Sequence, residues 1–249
     1  MSQNIRLFLG ASSAVARHMA ELYAAEGDAL ILAGRDTEDL ERTASHLALK
    51  HKIKASALSY DALDFASHAD FIAEVKTHAE GMNLHIIALA AYMPEQAEMD
   101  KDIDKALKCI NTGYTGLVSV LHPLAAYLEE KRNGSVIIFG SVAGDRGRYG
   151  NYIYGSTKAA LHCYGAGLRN RLEKSDVHVL TVKPGFIDTV MTRGMKLPPL
   201  PIAKPRTVAQ NVIKANAKKR NEIYTPFFWW AIMLIIRNIP EFIFKKLKI

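Results

Sequence analysis

Over the first 182 residues, short apolar runs alternate with amphipathic stretches of helical length, and this is the rhythm of βαβ units. Ile5 to Gly10, Ala29 to Gly34, Ile53 to Leu58, Leu84 to Ala90, Ser135 to Gly140 and Val177 to Val182 read as strands, and Ser13 to Glu26 and Thr37 to Lys50 as helices. Successive strands are separated by enough chain for a crossover helix, which parallel neighbours require. The expectation is a single α/β domain built on a doubly wound parallel sheet, with ligands at the carboxyl ends of its strands. A chain of 249 residues, 49% hydrophobic and 23% charged, can bury such a core without disulfides or a structural metal. Cys109 and Cys163 have no metal-ligand spacing, so no metal site is expected and a reducing compartment is the default. The run from Ile5 to Gly10 is too short for a signal-peptide core, which makes a cytoplasmic location the expectation.

Charge divides the chain unevenly. Residues 1–182 hold 19 Lys+Arg against 22 Asp+Glu, a net of −3, whereas residues 183–249 hold 13 against 3, a net of +10. The same last quarter carries the most apolar run, from Pro226 to Ile236. Its ten residues from Phe227 onward are half of the ~20 needed to cross a bilayer, and Arg237 ends them, so no transmembrane helix is expected. A second segment, Ile239 to Ile249, mixes bulky apolar residues with Lys245, Lys246 and Lys248. Adjacent Trp229 and Trp230 suit a headgroup boundary and the lysines suit anionic lipid, so the extension 226–249 reads as an interfacial anchor on a body of residues 1–225. The competing reading buries it in a subunit interface or over a substrate pocket. Nucleic acid is excluded as a partner, because the aromatics form one block instead of alternating with cations.

The first strand runs into Gly10-Ala-Ser12-Ser13-Ala14-Val15-Ala16 and then a helix. A turn of small residues there lets backbone N–H groups and the helix N-terminus face a pyrophosphate. The second strand ends in Gly34-Arg35-Asp36, where folds of this kind read the ribose 2′ position. A small residue followed by Arg35 leaves room and a cation for a 2′-phosphate, which points to NADP, NADPH being preferred over NADH; Asp36 keeps the NAD reading open. Further along, Tyr154-Gly-Ser-Thr-Lys158 sets a phenol and an ammonium at i and i+4, on one helix face. A nearby cation that stabilises phenolate brings the tyrosine pKa down from ~10, which suits proton transfer near neutrality. Ser141, 13 residues earlier and just after a strand, adds a hydroxyl at the mouth of the sheet.

Taken in order, these residues resemble the short-chain dehydrogenase/reductase family, whose domain is Rossmann-like, over about residues 5–225. Gly10 to Ala16 is similar to that family's glycine-rich turn, and Asp61-Ala62 to its adenine-contacting pair. Asn111 stands in the place of its helix asparagine, and Ser141, Tyr154 and Lys158 match its other catalytic residues. Ala90 and Ala91 follow the fourth strand in the cofactor's path, and Pro184-Gly185-Phe-Ile187-Asp-Thr189 resembles the loop that holds the nicotinamide. The resemblance implies an NADP-dependent reduction in which Tyr154 donates a proton, Ser141 hydrogen-bonds the carbonyl oxygen, Lys158 lowers the Tyr154 pKa and holds the nicotinamide ribose, and Asn111 positions a relay water. A homodimer or homotetramer is the family's usual assembly.

Two departures stand out. Ala14 and Ala16 replace glycines, and a methyl at Ala14 stands close to the pyrophosphate path, which predicts some cost in cofactor affinity. Ala88-Leu-Ala-Ala-Tyr92 replaces the family's Asn-Asn-Ala-Gly run. Substrate choice falls to the segment after Pro184: the loop 186–206 carries Met191, Met195, Leu197, closely spaced prolines and the cations Arg193, Lys196, Lys204 and Arg206, which suits an apolar ligand bearing a negative group. From Tyr154 onward, with Tyr224-Thr-Pro226 and the ending Arg237 to Ile249, the chain further resembles the reductases of decaprenylphosphoryl-ribose 2′-epimerase systems. That resemblance implies reduction of a 2-keto-pentofuranose on a polyprenyl phosphate, an oxidase partner that makes the ketone, and a peripheral place on the inner face of the membrane. The alternatives are reduction of another soluble or acyl ketone, or an NADP-sensing partner protein without catalysis.

Overall fold

The structure is a computed structural model that describes residues 4–192 and 201–247. Seven strands form one sheet: β1 Asn4–Leu9, β2 Ala29–Gly34, β3 Ala55–Ser59, β4 Asn83–Ala88, β5 Ser135–Phe139, β6 His178–Pro184 and β7 Glu222–Thr225. They lie in the order β3-β2-β1-β4-β5-β6-β7, and every neighbouring pair is parallel. Between them run α1 Ala14–Ala25, α2 Thr37–His51, α3 His68–His78, α4 Gln96–Met99, α5 Ile103–Ile110, α6 Gly116–Lys131, α7 Tyr152–Leu172 and α8 Pro205–Ala217; α9 Phe228–Asn238 and α10 Glu241–Phe244 follow β7.

The strands are apolar throughout because both faces of the sheet are covered. Successive side chains point to opposite sides. Ile5, Leu7, Leu9, Ile86, Val136 and Ile138 join the core beneath α3, α6 and α7, whereas Phe8, Leu30, Leu32, Ile87 and Ile137 join the core beneath α1, α2 and α8. The sequence reading placed β2 at its observed bounds; β1 and β5 stop one residue before Gly10 and Gly140, and β4 stops at Ala88 rather than Ala90. The polar tip Glu222 and the half-buried Ile223 and Tyr224 concealed β7, a four-residue edge strand.

Strand order reverses at β1, with β2 on one side and β4 on the other, and a crevice opens there above the carboxyl ends. Gly10 turns the chain from β1 toward α1 at φ +93, with its amide donating to the Ala33 carbonyl at 3.0 Å. A Cβ at Gly10 would stand 2.9 Å from the Ala90 nitrogen, so both conformation and space require glycine.

The extension after β7 is helical, and one of its sides packs on the body while the other faces outward. Trp229 and Met233 are buried against Val142, with Phe186 and Tyr224 alongside. Trp229 and Trp230 therefore do not share a surface: neighbours on a helix point ~100° apart, so Trp229 faces inward and Trp230 stays half exposed. Phe227 at 75%, Ile235 at 68% and Phe242 at 66% exposure line the outer side, where Phe227 and Trp230 stack. Among the described residues no helix is long and apolar enough to cross a membrane. Arg193, Met195, Lys196 and Leu197 of the substrate loop, and Lys248 of the tail, lie outside the described residues.

Candidate active site

A cleft of about 750 Å³ runs along the carboxyl edge of the sheet, from Gly34 and Arg35 at one end to Met191 at the other. Gly10, Ser12, Ser13, Ala14 and Val15 line it from the β1–α1 turn, Asp61 and Ala62 from after β3, and Ala90 and Ala91 from after β4. Ser141, Tyr154, Lys158, Pro184, Gly185, Ile187 and Thr189 close the other end. Two expected site residues are placed elsewhere. The Asp36 carboxylate accepts the Asp39 amide at 3.1 Å and caps α2, and Asp36 does not line the cleft. Asn111 begins a π-helical turn, Asn111–Thr115, between α5 and α6, and its neighbour Thr112 faces the cleft instead.

Tyr154 and Lys158 share the inner face of α7, the lysine nitrogen lying 5.5 Å from the phenol ring centroid. Both are buried, at 8% and 2% exposure. Lys158 donates to the Phe139 carbonyl at 3.2 Å, which ties the helix to the end of β5. Ser141 follows β5 directly, and its hydroxyl accepts the Ala143 amide at 3.1 Å, capping the short 3₁₀ turn Val142–Gly144. One turn beyond Lys158, His162 accepts the Ser141 amide through Nε2 at 3.4 Å, and its Nδ1 stands 3.4 Å from Asp145. Asp145 in turn accepts the Tyr224 hydroxyl at 2.5 Å and pairs with Lys183 at 3.2 Å. Burial pushes the Asp145 carboxyl up, but bonds from His162 and Tyr224 and the Lys183 charge outweigh it and leave it at about 2. Next to it, Arg146 donates to the Ile236 and Ile239 carbonyls at 2.7 and 2.6 Å and to Glu241 at 2.8 Å, satisfying the end of α9. The serine loop is thus bound on one side to α7 and on the other to the tail.

The electrostatics correct one expectation. Burial pushes the Tyr154 phenol above its ordinary value, the Cys109 thiol nearby adds to this, and a hydrogen bond with Ser141 pulls it partly back. The net direction is upward despite the neighbouring Lys158, whose ammonium is itself desolvated and lowered to about 8 from 10.5. Tyr154 consequently holds its proton near neutrality, the state an acid needs. Lys158 is protonated more readily when unfolded, so the cost of burying its charge is fully present below pH 8 and is relieved as pH rises toward the free-lysine value. Lys158→Met is therefore expected to stabilise the protein without cofactor at pH 7 by roughly 2–3 kcal/mol while removing activity. Urea denaturation at pH 7 and pH 10 checks this, the gain shrinking at the higher pH.

The cleft fits a nicotinamide dinucleotide. The turn at Gly10 leads the chain past backbone N–H groups into α1, Ala62 and Ala90 leave room beside it, and Gly185 approaches so closely under Trp229 that a Cβ would lie 1.8 Å from its Nε1. Sequence reading missed Arg17, Tyr60, Met93, Arg148 and Asn151, which also line the cleft. Arg17 was legible as a cation one turn into α1; Arg148 and Asn151 sit in a loop whose glycines gave no periodic signal.

A sequence model described as short chain dehydrogenase matches residues 4–198. An uncharacterized oxidoreductase of Mycobacterium tuberculosis is 30% identical over 241 residues, covering 97% of this chain and 96% of its own. Among solved structures, a short-chain dehydrogenase from Sphingobium yanoikuyae in complex with NADPH superposes with a TM-score of 0.81 at 22% identity, covering 96% of this chain and 97% of its own. The bulky-bulky ketone specific alcohol dehydrogenase from Comamonas testosteroni gives 0.80 at 20% identity, covering 95% of each. With the serine, tyrosine and lysine gathered at one end of a dinucleotide cleft, and the family's sequence pattern running over most of the chain, this protein belongs to the short-chain dehydrogenase family and is an NAD(P)-dependent oxidoreductase.

Proposed function

We propose that the protein is an NADPH-dependent reductase of a keto group on a lipid-linked sugar, a polyprenylphosphoryl 2-keto-pentofuranose. The observation that carries this reading is the tail: α9 packs its inner side beside the nicotinamide loop and turns Phe227, Trp230 and Ile235 outward, with Lys245 and Lys246 exposed nearby. Such a surface suits the interface of an anionic membrane, where a ketone bearing a phosphate and a prenyl chain resides. We assign the protein to the inner face of that membrane as a peripheral homo-oligomer, supplied with ketone by a separate oxidase.

A reduced nicotinamide bound in this cleft would supply the hydride that reduces the carbonyl carbon. Tyr154, kept protonated by burial, donates its phenolic proton to the carbonyl oxygen as charge develops there. The Ser141 hydroxyl, held in place through the backbone contact to His162, hydrogen-bonds the same oxygen. Lys158, beside the Tyr154 ring, would hold the nicotinamide ribose, and Asn111, at the start of the π-helical turn, would position a water that relays a proton to it. Asp36 caps α2, Arg35 and Arg17 are the cationic side chains that line the adenosine end, and the NADPH-bound structural neighbour agrees in cofactor. Arg35→Ala is expected to weaken NADPH binding about tenfold and leave NADH unchanged, as read by fluorescence titration. The lipid reading is tested by comparing turnover of the keto-lipid in vesicles with that of the free keto-pentose. Equal turnover of the two contradicts it and favours a soluble ketone.

A further inference from the structure

We propose that Arg148 and Asn151 form a subsite for the substrate, Arg148 binding a phosphate oxygen and the Asn151 side-chain carbonyl accepting a sugar hydroxyl. Both residues line the same cleft as Ser141 and Tyr154. Arg148 Nε and Asn151 Oδ1 are buried polar atoms without a hydrogen-bond partner among the described residues. Groups of this kind are normally satisfied, and a donor and an acceptor left unpaired in two residues that line one cleft are complementary to a ligand that offers the reverse. The two residues are fixed relative to each other and to the acid: the Asn151 amide donates to the Arg148 carbonyl at 3.1 Å, and the Asn151 carbonyl accepts the Gly155 amide at 2.7 Å in the first turn of α7. Tyr154 is one residue away on that turn.

Among the described residues no carboxylate forms an ion pair with the Arg148 guanidinium. Burial pulls the Arg148 guanidinium below its ordinary proton affinity and the Asp145 charge opposes this, yet Asp145 is bonded to Tyr224, Lys183 and His162 rather than to Arg148. A guanidinium held partly out of water without a carboxylate on its fork gains most from an oxyanion, and a phosphate gives it two parallel acceptors. Asn151 then selects ligands with a hydroxyl beside the anion, the pattern of a sugar phosphate. This assignment of the anionic group rests on the lipid-linked sugar reading for its phosphate, but the subsite itself requires only an oxyanion and a hydroxyl.

Isothermal titration of ribose 1-phosphate into the full-length protein saturated with NADP⁺ tests the subsite, with free ribose and inorganic phosphate as controls. Ribose 1-phosphate is expected to bind more tightly than either control. Arg148→Ala is expected to weaken it at least tenfold and Arg148→Lys by less, because the charge remains while the fork is lost. Asn151→Ala should weaken ribose 1-phosphate severalfold and leave inorganic phosphate unchanged. NADPH affinity, which the account assigns to residues other than Arg148 and Asn151, should stay within twofold in every variant and shows that each is folded. Binding of ribose 1-phosphate no tighter than ribose, or undiminished in Arg148→Ala, overturns the subsite. With the keto-lipid, Arg148→Ala should raise KM more than it lowers kcat. Turnover of the keto-lipid with a KM indifferent to Arg148 sinks the subsite and spares the reductase reading. Arg148-dependent binding of ribose 1-phosphate without turnover of any keto-lipid supports the subsite and overturns the lipid-linked substrate.

Discussion

Tyr154→Phe is expected to lower turnover by about 10²–10⁴-fold and leave NADPH affinity unchanged. The aromatic ring remains to fill the space between Ala143 and Cys109, so packing is preserved and only the hydroxyl that donates the proton is lost. Ser141 and Lys158 keep their backbone ties to His162 and Phe139, so the rest of the site stays assembled. The Ser141 hydroxyl is no substitute acid, since its own pKa lies far above that of a phenol. Steady-state NADPH oxidation and a fluorescence titration of cofactor, done side by side, separate the two effects. An active Phe variant would remove Tyr154 from the acid role and favour a proton delivered by water.

Trp229→Ala is expected to destabilise the protein by about 3–5 kcal/mol, the range for removing a large buried aromatic. Trp229 is 2% exposed, packs edge-on against Phe186 at 5.5 Å, and covers the backbone at Gly185. Its loss opens a cavity beneath the loop that carries Ile187 and Thr189, so cofactor affinity should fall together with the urea midpoint. Trp230→Ala, one residue on, removes only outward surface and should cost less than 1 kcal/mol while weakening attachment to anionic vesicles. The contrast separates the packing of α9 from the proposed membrane contact. Truncation after Pro226 does not separate them, because it removes Trp229, Met233 and Phe244 together and strips Arg146 of its carbonyl acceptors. Unchanged stability in Trp229→Ala would mean that α9 does not dock as described.

The sheet was legible because its strands are buried on both faces: runs such as Ala29–Gly34 are continuous apolar segments bounded by turn residues, and little else folds that way. Ser141, Tyr154 and Lys158 were legible because helical spacing alone puts the last two on one face and a strand end delivers the first. Asp36 was ambiguous, since an acid at that position can face a ribose or cap the next helix, and only the bond to the Asp39 amide decides between them. The Tyr154 proton affinity was misjudged for a similar reason. Sequence places the lysine charge near the phenol, but the balance is set by burial, a tertiary property. The tail's inward face was hidden by composition: ten apolar residues in a row show no periodicity, so Trp229 and Trp230 look equivalent until one of them is seen against Gly185. His162, Asp145 and Arg146 could not be read as a group, because the partners that give them meaning lie on β6, β7 and α9.

The most direct test of the account is NADPH oxidation by the purified full-length protein with a polyprenylphosphoryl 2-keto-pentofuranose in anionic vesicles. The account predicts one NADPH consumed per ketone reduced, abolished in Tyr154→Phe and reduced when Phe227 and Trp230 are both replaced by serine. Tight NADPH binding and reduction of other ketones, with no turnover of the keto-lipid, would contradict it.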